Sequence, residues 1–298
     1  MTKSPTRIMW AAWQSTAALA AAVLGLATLS PVHAAESPPL SIYGSLPEFE
    51  TAALSASGAR VAMIGSFNGK RRLVVSDAAA KPVLGVALGD AKIRGLYWAG
   101  EDTVLIYKSD TRALSTLDFA AGKVELYSML VLPLDGKPAW SVFAGDPLIQ
   151  GGVRGFYGIR RKGDRYYGYM SAITLERTDK SGARLVSTNP VLYEVDLETR
   201  KTRKQAPNIE VSGFREWIVG PDGEVSATLD FHAREGDWVI RNRDGKRIAT
   251  GTSATGGISL VGLGATPGTI LYSRDNDGGE ASWIESRWAG VKARGFSR

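Results

Sequence analysis

Ser57-Gly58-Ala59-Arg60 leads into Val61-Ala62-Met63-Ile64, and the same succession recurs down the chain. Gly100-Glu101-Asp102 runs into Thr103-Val104-Leu105-Ile106, Gly220-Pro221-Asp222-Gly223 into Glu224-Val225-Ser226-Ala227, and Thr266-Pro267-Gly268 into Thr269-Ile270-Leu271-Tyr272. Each unit is a turn followed by an apolar, β-favouring strand, and a second strand and turn close it. A spacing of roughly 45 residues is that of four-stranded antiparallel blades. The repeat therefore predicts an all-β chain, a β-propeller of antiparallel blades. Thr51-Ala52-Ala53-Leu54 is too short for a helix, and no long amphipathic helix is read elsewhere.

Turn chemistry supports the strand reading. Asn68-Gly69 lies between Ile64-Gly65-Ser66-Phe67 and Arg72-Leu73-Val74-Val75; both turn residues tolerate positive φ, the requirement of a tight hairpin. Asp222-Gly223, Asp244-Gly245 and Asp277-Gly278 repeat that chemistry. Between Pro147 and Asp222 the spacing stretches to 75 residues. Either a degenerate blade or one blade with an insertion fits. The second is preferred, because Val153 to Ile159 and Arg165 to Ile173 read as strands joined by Arg161-Lys162-Gly163-Asp164. The count is then about five blade-like units, an incomplete propeller over residues 35–285. Residues 286–298 form a tail without strand alternation.

The first 34 residues read as a secretory signal. Lys3 and Arg7 form its positive region, Ala17 to Leu29 its apolar core of 13 residues, and Val32-His33-Ala34 precedes the cut. The competing reading, an uncleaved anchor from Met9 to Leu29, is interrupted by Gln14, Ser15 and Thr16. The expected location is periplasmic or secreted, with membrane contact only through the signal before cleavage. The mature chain would carry 34 basic and 30 acidic residues, a net charge of +4. That excess is spread out. Its densest run, Arg200-Lys201-Thr202-Arg203-Lys204, follows the strand Leu192 to Leu197 and reads as the turn and return strand of a hairpin. A nucleic-acid partner is not expected, since charge is not clustered with stacking aromatics. With no cysteine in the chain, disulfides, thiol catalysis and thiolate metal sites are excluded, and stability must come from core burial.

No complete catalytic constellation accompanies the repeat. Gly251-Thr252-Ser253-Ala254-Thr255-Gly256 has the wrong spacing for a nucleophile elbow and precedes a strand, Ile258-Ser259-Leu260. After signal cleavage His232 is the one remaining histidine, and a triad built on it would need a partner carboxylate and an oxyanion hole. It reads as a strand-end residue. Asp230, Glu235 and Asp237, and Asp275, Asp277 and Glu280, are the acidic groups that could serve a carboxylate hydrolase; turn roles are preferred for both. The second group lacks calcium-loop ligands at Gly279 and Ser286. Neither a phosphate loop nor a dinucleotide fingerprint is present. No catalytic, cofactor or metal residue is assigned, and no cofactor is expected. Trp98, Trp140, Trp217, Trp238 and Trp283 are expected to fill the wedges between blades.

Ser41-Ile42-Tyr43-Gly44-Ser45-Leu46-Pro47, then Leu54 to Ala62, then Lys92-Ile93-Arg94-Gly95-Leu96-Tyr97-Trp98-Ala99-Gly100-Glu101-Asp102 resemble the N-terminal propeller of exported serine peptidases of the prolyl oligopeptidase family. The resemblance spans about Ser41 to Glu285 and is strongest in the first hundred mature residues; Ala56-Ser57 stands where the family has Pro-Asp. It implies a propeller that shields an active site and restricts access to short peptides, followed by an α/β-hydrolase domain with a Ser-Asp-His triad. The expected role is thus a non-catalytic gating region, a truncated or partial form without its own peptidase activity. Its partners would be a peptide substrate or a hydrolase domain. The alternative is a free-standing propeller that binds peptide or glycan in the periplasm.

Overall fold

In the computed structural model the described residues are 48–113, 122–150, 152–178, 182–185, 187–209, 212–276 and 279–287, with the backbone of 294–296. The signal, the Ser41–Pro47 motif and Asp277-Gly278 lie outside them. Described secondary structure is entirely strand and turn, and five four-stranded antiparallel sheets follow one another along the chain.

The first sheet is β1 (Phe49–Leu54), β2 (Arg60–Phe67), β3 (Lys70–Asp77) and β4 (Pro82–Ala87), paired in that order. Its central hairpin turns at Asn68 and Gly69, with φ of 53° and 70°, the positive pair that a two-residue primed turn demands. The second sheet is β5 (Lys92–Ala99), β6 (Thr103–Ala113), β7 (Lys123–Pro133) and β8 (Trp140–Ser141). The third contains β9 (Gly155–Lys162), β10 (Arg165–Ala172), β13 (Val191–Asp196) and β14 (Thr202–Ala206); between β10 and β13 a separate hairpin, β11 (Leu175–Arg177) and β12 (Ala183–Leu185), is inserted. This insertion accounts for the stretched spacing. The fourth sheet is β15 (Gly213–Val219), β16 (Val225–His232), β17 (Asp237–Asn242) and β18 (Arg247–Thr252).

The fifth is β19 (Ile258–Leu263), β20 (Thr269–Asp275), β21 (Ala281–Arg287) and β22 (Arg294–Phe296). Its outermost strand falls inside the stretch read as an unpatterned tail, where Ile284 pairs with Gly295 and Glu285 with Arg294. Three residues are too few to display an alternation. The quoted repeat has a structural meaning: it marks the second strand of the first, second, fourth and fifth sheets.

Burial explains why β6 reads as an unbroken apolar run, Val104-Leu105-Ile106. Each sheet in the middle of the series is covered on both faces, and a strand buried on both faces loses the apolar–polar alternation. In β6, Val104 and Ile106 point into a cluster with Ala62, Ile64, Leu73 and Val75 of the first sheet. Leu105, between them, points the other way, into a cluster with Met170, Ala172 and Val195 of the third. The next boundary is filled by Tyr169, Leu192, Trp217 and Val219, and the last by Leu229, Phe231, Trp238, Ile240, Ile270 and Tyr272. Burying a residue such as Ile106, 0% exposed, is worth about 1.5–3 kcal/mol. The core is thus four successive wedges.

First strands of neighbouring sheets touch, β1 against β5, β9 against β15 and β15 against β19. They form a common inner wall. Among the described residues no strand of one sheet forms a backbone ladder with a strand of another, so no ladder closes the series into a ring.

Four tryptophans do what spacing predicts. Trp98 of β5 donates its indole N–H to the Ala53 carbonyl of the first sheet at 2.9 Å. Trp140 packs against the cluster between the second and third sheets, with the Arg200 guanidinium 5.4 Å from its ring centroid. Trp217 meets Tyr157 edge-on, with centroids 5.3 Å apart, and Trp238 lies against Tyr272 at 6.3 Å. Trp283 departs from the expectation. On the fifth sheet it is 50% exposed, because no described sheet follows to cover it.

Candidate functional site

The inner wall contains a cleft of about 390 Å³ where β9, β15 and β19 converge, lined by Phe156, Tyr157, Arg160, Glu216, Trp217 and the segment Leu260 to Leu263. Its position follows from the repeat, since each of these strands opens its own sheet. Gly262 also contributes and leaves its main chain open to the cleft, whereas Gly155 and Gly158 lie under the Tyr157 and Arg160 side chains. Val261 and Leu263 are 44% and 38% exposed. A register shift between Leu260 and Gly262 inserts the extra residue that turns Val261 outward.

Two charges of opposite sign stand in this apolar setting. The Arg160 guanidinium donates to the carbonyls of Ile159, Gly220 and Val219 at 2.8, 2.9 and 2.6 Å. Burial pulls it below its ordinary value. Glu216 accepts the Leu260 amide at 2.6 Å and the Ser259 hydroxyl at 3.2 Å. Burial nevertheless pushes its carboxyl up, outweighing both donors. Tyr157, desolvated beside them, is pushed up to about 12. Such a surface offers apolar contact, an uncovered strand edge and two fixed charges, the equipment for holding an extended polar-backboned ligand.

A second cleft, about 330 Å³, lies between turns of the second and third sheets and includes Asp102, Asp135, Lys137, Trp140, Arg165, Glu198 and Arg200. Its charges are paired: Lys137 with Asp135 at 2.7 Å, Arg165 with Glu198 at 3.7 Å and with the neighbouring Asp196 at 3.1 Å, and Asp102 with Arg60 at 2.7 Å. Arg200 covers the Trp140 ring.

The acidic groups singled out from sequence separate into different roles. Asp230 does not sit in a turn, contrary to expectation. It lies within β16, and its carboxylate, 7% exposed, takes two hydrogen bonds from Arg215 at 2.5 and 2.8 Å. A fork from the adjacent strand, 15 residues away in sequence, outcompetes local backbone bonding. Glu235 is in the β16–β17 turn, and Asp237 opens β17.

Near that turn the structure supplies the carboxylate that His232 lacked in the sequence, since Asp237 Oδ1 is 3.1 Å from its Nδ1. Glu235 joins them, the three ligand atoms lying within 4.8 Å of one another. Ser212 lines the same depression. No hydrogen bond links its hydroxyl to the imidazole among the described residues. The hairpin itself is closed by the Gly236 amide on the His232 carbonyl at 2.8 Å. Ser253 accepts the Gly257 amide at 2.8 Å and so ends the β18–β19 connection, the role of a turn serine. In the remaining acidic group Asp275 ends β20 and the Glu280 amide donates to the Asn276 side chain at 2.9 Å, closing the next hairpin.

Sequence reasoning missed Arg160 and Glu216 as wall residues. Both sit within ordinary strand patterns, and what distinguishes them is burial by other sheets. β9 carries Arg160-Arg161-Lys162 and β15 carries Arg215-Glu216, so neither residue stands out within its strand.

No protein-family model matches the chain, and no curated protein does. Solved structures similar to it include a prolyl endopeptidase, 16% identical, covering 85% of this chain and 42% of that one, TM-score 0.41. The β-propeller domain of the trilobed protease from Pyrococcus furiosus is 15% identical over 84% of both chains, TM-score 0.35. An oligogalacturonate lyase from Vibrio parahaemolyticus is 15% identical, over 84% of this chain and 64% of that one, TM-score 0.42. The chain thus spans less than two thirds of the endopeptidase and of the lyase. One of these similar structures is a β-propeller domain of a protease.

Proposed function

We propose that this chain is a non-catalytic propeller region, exported from the cytoplasm, that admits and shields extended peptide for a hydrolytic domain. The observation that carries the reading is the inner-wall cleft of β9, β15 and β19, with exposed Val261 and Leu263 beside Arg160 and Glu216. An extended peptide could lie along that wall, its backbone meeting uncovered strand edge and its side chains the apolar patches. The sequence resemblance of Ser41 to Asp102 to peptidase propellers supports the same role. His232 contributes no nucleophile activation in this reading: Asp237 holds its ring, and among the described residues no serine hydroxyl bonds to it.

The test has two arms. Incubation with a serine-reactive fluorophosphonate, followed by intact-mass measurement, should leave the chain unlabelled; stoichiometric labelling of one serine overturns the non-catalytic assignment. Titration with a short, end-blocked leucine-rich peptide should show binding that Val261→Glu weakens about tenfold or more, about 1.4 kcal/mol. Equal binding by the variant, or none by the wild type, removes the wall as the site. Binding of such a peptide without any partner domain is also what a free-standing propeller would show, and adding a hydrolase domain in trans distinguishes the two.

A further inference from the structure

The described large hydrophobic side chains that stand exposed are Phe49, Leu54, Val83, Leu126, Leu185, Val261, Leu263 and Trp283. Six of these eight belong to the two sheets at the ends of the series; Val261 and Leu263 of the fifth line the inner-wall cleft, whereas Leu54 of the first and Trp283 of the fifth stand on the outer faces. The exposure of those two has a geometric cause. Every boundary between consecutive sheets buries the forward face of one sheet on the backward face of the next. Among the described residues, five sheets in series therefore leave one backward face and one forward face without a partner sheet.

Strand alternation identifies those faces. In the first sheet Ala62, Ile64, Leu73 and Val75 point toward the second. The opposite face carries the cross-strand row Ala52, Met63, Val74 and Gly85, with Leu54 beside Val61. Leu54 is 67% exposed there. In the fifth sheet Ile270, Tyr272 and Ile284 point toward the fourth. The opposite face carries Leu271 and Trp283. Trp283 occupies on β21 the place that Trp238 occupies on β17: each is on the third strand of its sheet and on the forward face. Trp238 is 3% exposed because the fifth sheet covers it; Trp283 presents the same chemistry uncovered.

Charge also complements across the two faces. Lys70 and Arg72 share the outward face of β3 with Val74, and both are exposed. Asp275 and Glu285 share the outward face of the fifth sheet with Leu271 and Trp283, with Arg287 at its far end.

We propose that the forward face of the fifth sheet docks on the backward face of the first sheet of a second copy of this chain. The contact continues the packing already present at the four internal boundaries, with Trp283 entering as Trp238 does and Leu54 and Met63 receiving it. Such a contact is heterologous: the two surfaces differ, so each copy retains one free face of each kind and association propagates head to tail.

Two single variants test this arrangement on the full chain, Leu54→Glu, which spoils the receiving face, and Trp283→Glu, which spoils the inserting face. Sedimentation equilibrium of the wild type should show mass rising with concentration in whole-chain steps. Each variant alone should remain at the mass of one chain. Mixed in equal amounts they should form a species of twice that mass and nothing larger, joined through the intact Trp283 of one and the intact Leu54 of the other. A wild type that stays at one-chain mass overturns the proposal, as it would if the end faces met within one molecule. So does a two-chain species formed by either variant alone, or a mixture that does not associate. Circular dichroism confirms that the variants are folded, and Met63→Gln and Leu271→Gln repeat the experiment if either is not.

Discussion

Arg215 and Asp230 face each other across β15 and β16, joined by two parallel hydrogen bonds of 2.5 and 2.8 Å, with the carboxylate 7% exposed and the guanidinium 20% exposed. Removing one partner leaves the other charge buried without compensation. Asp230→Ala should therefore lower unfolding free energy by about 3–5 kcal/mol, read from urea denaturation. The double variant Arg215→Met with Asp230→Leu should recover most of that loss. If Asp230→Ala is neutral, the pair is not part of the folded sheet.

Glu194 is the centre of a second polar group. Its carboxylate accepts from Lys162, from the Tyr169 hydroxyl at 2.6 Å and from Arg203 at 3.2 Å. Burial alone would push it up; the donors outweigh that and hold it below its ordinary value of 4.5. A carboxyl depressed in the folded state contributes stability that is complete above pH 4.5 and lost as pH falls through its folded value. The urea midpoint of the wild type should drop in that acid range, and Glu194→Gln should flatten the drop. An unchanged slope in the variant would remove Glu194 from the account of acid unfolding.

Glu216 carries the opposite sign. Burial raises its carboxyl above 4.5, so the stability it contributes is complete below pH 4.5 and lost as pH rises through its folded value. Glu216→Gln keeps an acceptor for the Leu260 amide and removes the buried charge. It should stabilise the chain at pH ~7 and do nothing at pH ~4, as measured by thermal unfolding at both values. Destabilisation at both would mean that the amide cannot replace the carboxylate as acceptor.

Trp238 and Trp283 provide a matched pair. Trp238→Ala opens a cavity between the fourth and fifth sheets and should cost about 3–5 kcal/mol. Trp283→Ala, at an exposed position, should stay within about 0.5 kcal/mol in dilute solution. Chemical denaturation of both variants side by side checks the difference, and equal losses would show that Trp283 is buried in solution.

Those residues also show what a sequence can carry. Asn68 and Gly69 are legible because the turn is decided by two residues' own backbone preferences, and Val104 to Ile106 because a doubly buried strand writes its burial into consecutive positions. The elaborated hairpin between Gly151 and Asn189 was visible as a stretched spacing, with β9 and β10 close to where the strand pattern put them. Asp230 was misplaced because its partner comes from the next strand and not from the turn chemistry around it. Arg160 and Glu216 could not be found at all, since each becomes unusual only when separate sheets stack over it. Turns, strands and repeat are local and readable; the wall is a product of stacking.

The described sheets share one further property: none borrows a strand. Apart from the inserted pair β11 and β12, every described sheet is made of strands consecutive along the chain. Each hydrogen-bonded ladder is thus completed by its own stretch of sequence, and pairing partners lie near one another in the chain, which favours rapid local assembly. Cohesion between sheets rests on the four apolar wedges and on side-chain hydrogen bonds such as Trp98 to Ala53, Arg160 to Val219 and Leu260 to Glu216. A whole sheet could be gained or lost at either end without breaking a ladder, and the length of the series is then a variable that recombination can change one unit at a time.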